Sequence, residues 1–511
     1  MRAGQEAGEG KNTPPPLQKK MKGQNTMLNY LKQEANKTET LNGATTYISS
    51  GKFCLDLFSS IGALRNCSEK EILKRFHRAF CEDKNLAMKI LFYARDIRGG
   101  LGERKVFRTI IKNLPRTSHN ALVKNIKNIP EYGRYDDLLE LMDTSCKKEV
   151  VEFIREQLKN DIANIETDKV SLLAKWLPSV NATNPQTVKL AKRLAQCLNM
   201  SEKEYRQTLS KLRAKIKIIE NNLREKDYSF DYSKQPSKAM FKYKKAFIRN
   251  DKERYEEFLN KVQSGETKMN TKTLYPYDIV RPIVHSTMMT ESVQKAVETA
   301  WNSLPNYTKD ENALVLLDTS GSMYYGGNPK PVDVAMALTI YFSERCKGKF
   351  ANHFIMFSKT PQLIEIKGEN LYQKVKYCMS FNQIANTDLM KVFKLILKTA
   401  VKYNLPQEEM PEKLYIISDM EFDEGFTNAD LTNFEYAKKL FQRKHYKLPK
   451  IVFWNVNSWQ QQVPVKENEQ GAVLVSGCTP KIFEMVMEGE TSPYKFMLDT
   501  LNNERYEKIS A

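Results

Sequence analysis

At 511 residues, with 41% hydrophobic and 28% charged side chains, the chain has the make-up of a globular protein and is long enough for roughly two to four domains. Its eight cysteines never stand in a closely spaced pair and its five histidines are scattered, which argues against a disulfide framework, a structural zinc cluster or a histidine-rich metal site. The formal charge is +19, and residues 301–511 hold 25 basic and 25 acidic residues, so the whole excess lies in residues 1–300; such asymmetry points to a polyanion-binding half, nucleic acid before membrane, unless it only solvates a lysine-rich helical surface.

Residues 1–26 include Pro14, Pro15 and Pro16 and the cluster Lys19, Lys20 and Lys22, with little to bury, and are expected to form a disordered tail. They lack the apolar core of a signal segment, and no apolar run in the chain nears the ~20 residues that span a bilayer. The expectation is a cytoplasmic protein with no membrane contact.

Residues 27–305 read as an all-helical domain. Ser68 followed by Glu71 predicts a capped helix start, with Ile72, Leu73, Phe76 and Phe80 as its apolar stripe. From Ala94 to Lys105 the chain sets Arg95, Arg98, Arg104 and Lys105 beside Gly99, Gly100 and Gly102. A tight turn there could offer these cations to phosphate, or Asp96 and Glu103 could hold them in an internal ion-pair network. Arg134 beside Asp136 and Asp137 reads as structural, and Trp176 among leucines as core. Tyr205, Leu209, Leu212, Ile216, Ile219 and Leu223 predict one amphipathic helix whose other face carries Lys211, Arg213, Lys215 and Lys217; Lys242, Lys244 and Lys245 follow, interleaved with Phe241 and Tyr243. Residues 201–250 hold 14 basic and 6 acidic residues, the strongest nucleic-acid signal in the chain. Amphipathic helices joined by short breaks predict a HEAT-like solenoid.

Residues 306–511 change to strands alternating with helices. Strands are expected at Ala313–Leu317, His353–Phe357, Leu414–Ile417, Ile451–Trp454 and Ala472–Val475, and helices at Pro331–Cys346, Asp388–Tyr403, Ala429–Phe441 and Pro480–Met487. That order predicts a doubly wound, mostly parallel sheet with ligands at the strand carboxyl ends. The first strand runs into Asp318-Thr319-Ser320-Gly321-Ser322, which can aim one carboxylate and two hydroxyls at a common point. Mg²⁺, which takes about six oxygens and readily keeps waters, suits such a set. Thr387 before a helix and Asp419 after a strand can complete it.

These five residues resemble the metal ion-dependent adhesion site of von Willebrand factor A domains. The resemblance implies that Ser320, Ser322 and Thr387 approach the metal, that Asp318 and Asp419 bind directly or through water, and that a partner's carboxylate takes the remaining position. Whether Glu421 and Asp423 join the site stays open. Met420 stands where that family has glycine. The D-T-S-G run lacks the D-T-G glycine and the second copy of an aspartic protease, and a metal-dependent hydrolase would lack a nearby histidine base.

The Arg95–Lys105 block resembles TROVE domains, an RNA-binding module of the Ro autoantigen. Together with Tyr132 to Leu138, Lys175 to Pro178, Phe453 to Asn457 and Leu474 to Gly477, the chain resembles the domain of unknown function 2828 family, which joins a TROVE-like region to a von Willebrand A-like one. The resemblance implies a non-enzymatic RNA-binding protein carrying Mg²⁺ or another divalent cation, with RNA on the basic half and an acidic protein partner at the cation. The alternative is an interaction scaffold for acidic partners without RNA.

Overall fold

Residues 26–167, 169–216, 218–357, 360–381, 387–425, 431–486 and 492–511 are described by the structure, a computed structural model; the tail expected before residue 26 lies outside them, as does Lys217. The chain divides into Met1–Lys37, of which the exposed helix Thr26–Ala35 is described, and Thr38–Ala511. Within Thr38–Ala511, helices precede a six-stranded, mostly parallel sheet. Among the described residues, no helix is long and apolar enough to cross a membrane.

Local chemistry sets the helices. Ser68 accepts from the Glu71 amide at 3.3 Å and starts the helix Glu69–Glu82, which buries Ile72, Phe76 and Phe80. Asp83 ends that helix and caps the next, Lys84–Arg95, by accepting from the Leu86 amide at 2.9 Å. The single helix expected through Leu223 is instead two, Glu202–Lys215 and Ile219–Glu225, with Ile216 and Ile218 in extended conformation between them. The apolar stripe serves two cores: Leu209, Leu212 and Ile216 join the main core, whereas Ile219 joins a separate cluster with Tyr232, Phe247 and Tyr255. One straight helix cannot point its stripe into both.

The sheet comprises β1 (Ala313–Leu317), β2 (His353–Met356), β3 (Gln362–Glu365), β4 (Lys413–Ser418), β5 (Lys450–Asn455) and β6 (Ala472–Ser476), in the order β3-β2-β1-β4-β5-β6. All neighbours are parallel except β3, which runs antiparallel on the edge. That strand escapes the sequence pattern because only Ile364 is buried in it. Every residue of β1 is buried, as a strand covered on both faces requires. The helix Pro331–Arg345 is buried along nearly all its length, lying between the sheet and the helix Pro276–Val284. The chain leaves β1 toward β2 on one side and continues from β4 to β6 on the other. The switch point therefore lies between β1 and β4, where Leu317 pairs with Ile417.

The helical residues and the sheet share one continuous apolar core. The helix Phe53–Ser60 packs on β6, and the Gly62 amide donates to the Ser476 hydroxyl at 3.0 Å. A Cβ on Gly62 would meet Gly477 Cα at 2.7 Å, so this approach needs glycine. At the other end, Arg505 clamps Asp96 through two nitrogens, and the Tyr506 hydroxyl donates to the same carboxylate at 3.0 Å.

The Arg95 guanidinium, 2% exposed, meets the fully buried Asp137 carboxylate at 2.8 Å. Asp137 also accepts from Arg108 at 2.6 Å and from the Arg134 amide at 3.0 Å, so removing Arg95 costs the lost buried charge-assisted bonds, about 1.5–3 kcal/mol, and does not leave the carboxylate alone. Arg95→Ala is expected to lower unfolding free energy by that amount in a denaturant titration; a loss under about 1 kcal/mol would show that the pair does not hold the helices.

Candidate metal centre

The strand β1 ends at Leu317 and delivers Asp318 to the switch point, fully buried. Its carboxylate is oriented from two sides: the Ser320 amide donates to Oδ1 at 2.8 Å, and the Ser418 hydroxyl donates to Oδ2 at 2.5 Å. The Ser320 and Ser322 hydroxyls lie 3.1 Å apart. From the neighbouring strand, Asp419 follows β4 and is buried as well; its Oδ1 accepts from the Glu421 amide at 3.3 Å and its Oδ2 from the Trp459 indole at 2.9 Å. The Ser322 hydroxyl also bonds this carboxylate. Four of the five expected ligands are thus joined in one hydrogen-bonded cluster.

Thr387 belongs to the loop before the helix Leu389–Lys402. Its carbonyl accepts from the Asp423 amide at 3.1 Å, which ties it to the loop that carries Asp419. Its side chain is fully buried, yet among the described residues its hydroxyl has no hydrogen-bond partner. A buried hydroxyl without a partner is costly, and a cation within its reach would satisfy it. The donor set, two carboxylates and three hydroxyls, suits a hard divalent ion.

Electrostatics point the same way. Burial, followed by the charge of Asp419, pushes the Asp318 carboxyl well up from the usual range. Burial raises Asp419 too, against the opposing hydrogen bonds of Ser322 and Trp459. Two dry carboxylates side by side require a positive charge between them or a shared proton.

The loop after β4 carries methionine where the resembling family has glycine. Met420 adopts φ +68°, the left-handed region that glycine would enter freely, while its side chain is buried. Its amide donates to the Ser418 hydroxyl at 3.0 Å. Residues 40–43 grip this loop. The Leu41 amide donates to Glu421 Oε2 at 2.7 Å, the Asn42 side chain to the Glu421 carbonyl at 2.6 Å, and the Thr40 hydroxyl to the Phe422 carbonyl at 2.6 Å. Glu421 is thereby engaged in holding the loop. Across the β1 side, the His285 Nε2 meets Asp333 at 3.1 Å on the helix that follows the Asp318 turn.

Ser418 and Trp459 are site residues that the sequence reading missed. Ser418 had a signal, a hydroxyl at the last strand position before the aspartate. Trp459 had none, being 40 residues from its partner in the chain.

The expected RNA-facing residues divide. Arg95 is corrected: it is buried against Asp137 and faces no solvent. Lys244 is corrected as well, since it is buried with its ammonium on the Phe241 carbonyl at 3.0 Å, and burial lowers it to about 8. Arg213 is spent on the backbone, donating to the Ala174 and Leu177 carbonyls at 2.9 and 2.8 Å. Arg98 is exposed and donates to the Glu131 carbonyl, and Lys105 is exposed with its ammonium 2.7 Å from the Arg65 carbonyl. Arg104, Lys211, Lys242 and Lys245 are exposed, as is Lys215, 3.5 Å from Glu166. Arg134 pairs with Asp136 at 2.7 Å and lies over the Trp176 ring at 4.0 Å.

Two family models match residues 40–508 between them. The model of the domain of unknown function DUF2828 matches residues 40–154 and 146–314, and that of the domain of unknown function DUF7788 matches residues 312–508. An uncharacterised protein of Acanthamoeba polyphaga mimivirus is 28% identical, over 91% of this chain and 87% of that protein. The crystal structure of the Ro (RSR) protein of Deinococcus radiodurans is a distant likeness, 12% identical with a TM-score of 0.40, covering 88% of this chain and 93% of that one.

Met420 sets two costs against each other. Replacing it with glycine relieves a left-handed backbone worth about 1–2 kcal/mol, but removes a buried methionine side chain worth about 2–5 kcal/mol. Met420→Gly is expected to be destabilising on balance, by about 1–3 kcal/mol in chemical unfolding; a more stable variant would show that the strain outweighs the packing.

Proposed function

This chain belongs to the domain of unknown function 2828 family, and from that premise we propose that it is a non-enzymatic RNA-binding protein whose sheet carries a Mg²⁺-dependent adhesion site. The observation that carries the cation site is the buried, unpartnered Thr387 hydroxyl on a loop tied to that of Asp419, whose carboxylate clusters with Ser322 and raises the Asp318 carboxyl. Asp318, Ser320, Ser322, Thr387 and Asp419 would hold the ion, which when bound offers a coordination position to the carboxylate of an acidic partner.

RNA binding is supported by the confinement of the +19 charge to residues 1–300 and by the exposure of Lys211, Lys215, Lys242 and Lys245. A second reading, a scaffold for acidic proteins without RNA, is favoured by the internal commitment of Arg95, Arg213 and Lys244.

Two measurements decide between them. Affinity for single-stranded RNA is expected to fall with salt at about −0.7 in log–log slope per phosphate contacted, and joint replacement of Lys211, Lys215, Lys242 and Lys245 by Glu is expected to abolish it. Unchanged binding in that variant would remove this surface; no RNA binding by the wild type at low salt would leave the scaffold. MgCl₂ is expected to raise the melting temperature relative to chelator in the wild type and not in Asp318→Ala. Equal melting temperatures in the wild type would overturn the cation site.

A further inference from the structure

Trp459 is bound to a carboxylate that the cation would share, yet it is 40% exposed. The other tryptophans are less accessible: Trp301 and Trp454 are buried and Trp176 is half-buried. A large aromatic ring left in water beside a polar, buried centre is the usual composition of an interaction anchor, with one end fixed by its N–H and an apolar face on offer.

Two further exposed apolar side chains flank the same cluster. Tyr325, 69% exposed, follows directly on the Ser322 turn, its amide donating to the Ser322 carbonyl at 3.2 Å. Leu41, 64% exposed, is held by its amide on Glu421 Oε2, the oxygen that Gln460, next to Trp459, also approaches at 3.4 Å. Three segments far apart in the chain thus bring apolar side chains to the rim of one carboxylate-and-hydroxyl cluster.

Resting on the cation site proposed above, we infer that Trp459 is a positioning residue for Asp419 and, with Tyr325 and Leu41, forms an aromatic lip that selects the partner. The indole N–H holds Oδ2 and leaves the remaining lone pairs of the carboxylate for an ion. The ring then covers whatever side chain adjoins a carboxylate seated on that ion. Charge complementarity at the cation and apolar area on the rim together define the occupant: a protein segment with an acidic residue flanked by large apolar ones.

The test uses the full-length protein and two probes. In the first, tryptophan emission is followed as MgCl₂ is added. The wild type is expected to show a saturable change reversed by chelator, and Trp459→Phe, which lacks the N–H that holds Asp419, to lose that change and to need more MgCl₂ for the same rise in melting temperature. In the second, an array of short peptides presents one aspartate between leucines or between glycines. Leucine-flanked peptides are expected to bind about tenfold more tightly in MgCl₂, and Trp459→Ala to lose that preference. If Mg²⁺ stabilises the protein but emission is unmoved, no peptide binds, or Trp459→Ala keeps the preference, the lip is overturned and the cation site stands. If Mg²⁺ does not stabilise the wild type, the cation site falls and the lip with it. If single-stranded RNA, and not the peptides, competes for the emission change, the ring stacks bases and the acidic partner is overturned.

Discussion

Two carboxylates, Asp318 and Asp419, end adjacent parallel strands at the place where the sheet reverses its direction of growth. Neither reaches water. Like charges so placed are tolerable only with donors around them and a positive charge or proton between them, and the surroundings follow from that constraint. Ser418 and the Ser320 amide serve Asp318; Trp459 and the Glu421 amide serve Asp419. The left-handed Met420 lets the chain turn tightly enough for the Ser418 hydroxyl to take two roles, donor to Asp318 and acceptor from the Met420 amide. The proposed ion would complete this shell with little reorganisation of its donors.

The loops of the site come from the sheet, but what holds them comes from the helical part. Residues 40–43 grip the Asp419 loop, Asn66 takes up the Gly327 amide and the Asn457 side chain, Arg75 reaches the Ser458 hydroxyl, and His285 meets Asp333. A shared core and these polar ties make the two regions one mechanical unit. The loops at the strand ends are therefore braced by residues nearly 400 positions away in sequence.

What the sequence made legible follows from the range of the interactions. The D-x-S-x-S turn, Thr387 before its helix and Asp419 after its strand could be read because each is a local pattern attached to a predictable element; adjacent strands then carry Asp318 and Asp419 to one sheet edge, and the Asp423 amide ties the Thr387 backbone to the second of those loops. The part played by Trp459 could not be read, since its partnership with Asp419 depends on where the loop after β5 returns. Nor could the break at Ile216, because the apolar stripe runs on through it and only the existence of a second core, around Phe247, demands the turn. The edge strand β3 was hidden for the opposite reason, having almost nothing to bury.

The basic residues show the same limit most sharply. A sequence gives the sign of a side chain but not its nearest carbonyl or carboxylate, so Lys244 reads as surface and proves buried, half-buried Arg213 is spent on carbonyls, and Arg95, for which an ion pair is the alternative, is held by Asp137. Their loss from the polyanion-binding set does not remove the excess itself. Residues 1–300 carry the full +19, so even if each acidic side chain there were paired with a basic one, that many cations would be left without a carboxylate of their own. Internal pairing decides which lysines and arginines are left exposed, and whatever attraction that exposed excess has for a polyanion is weakened by salt.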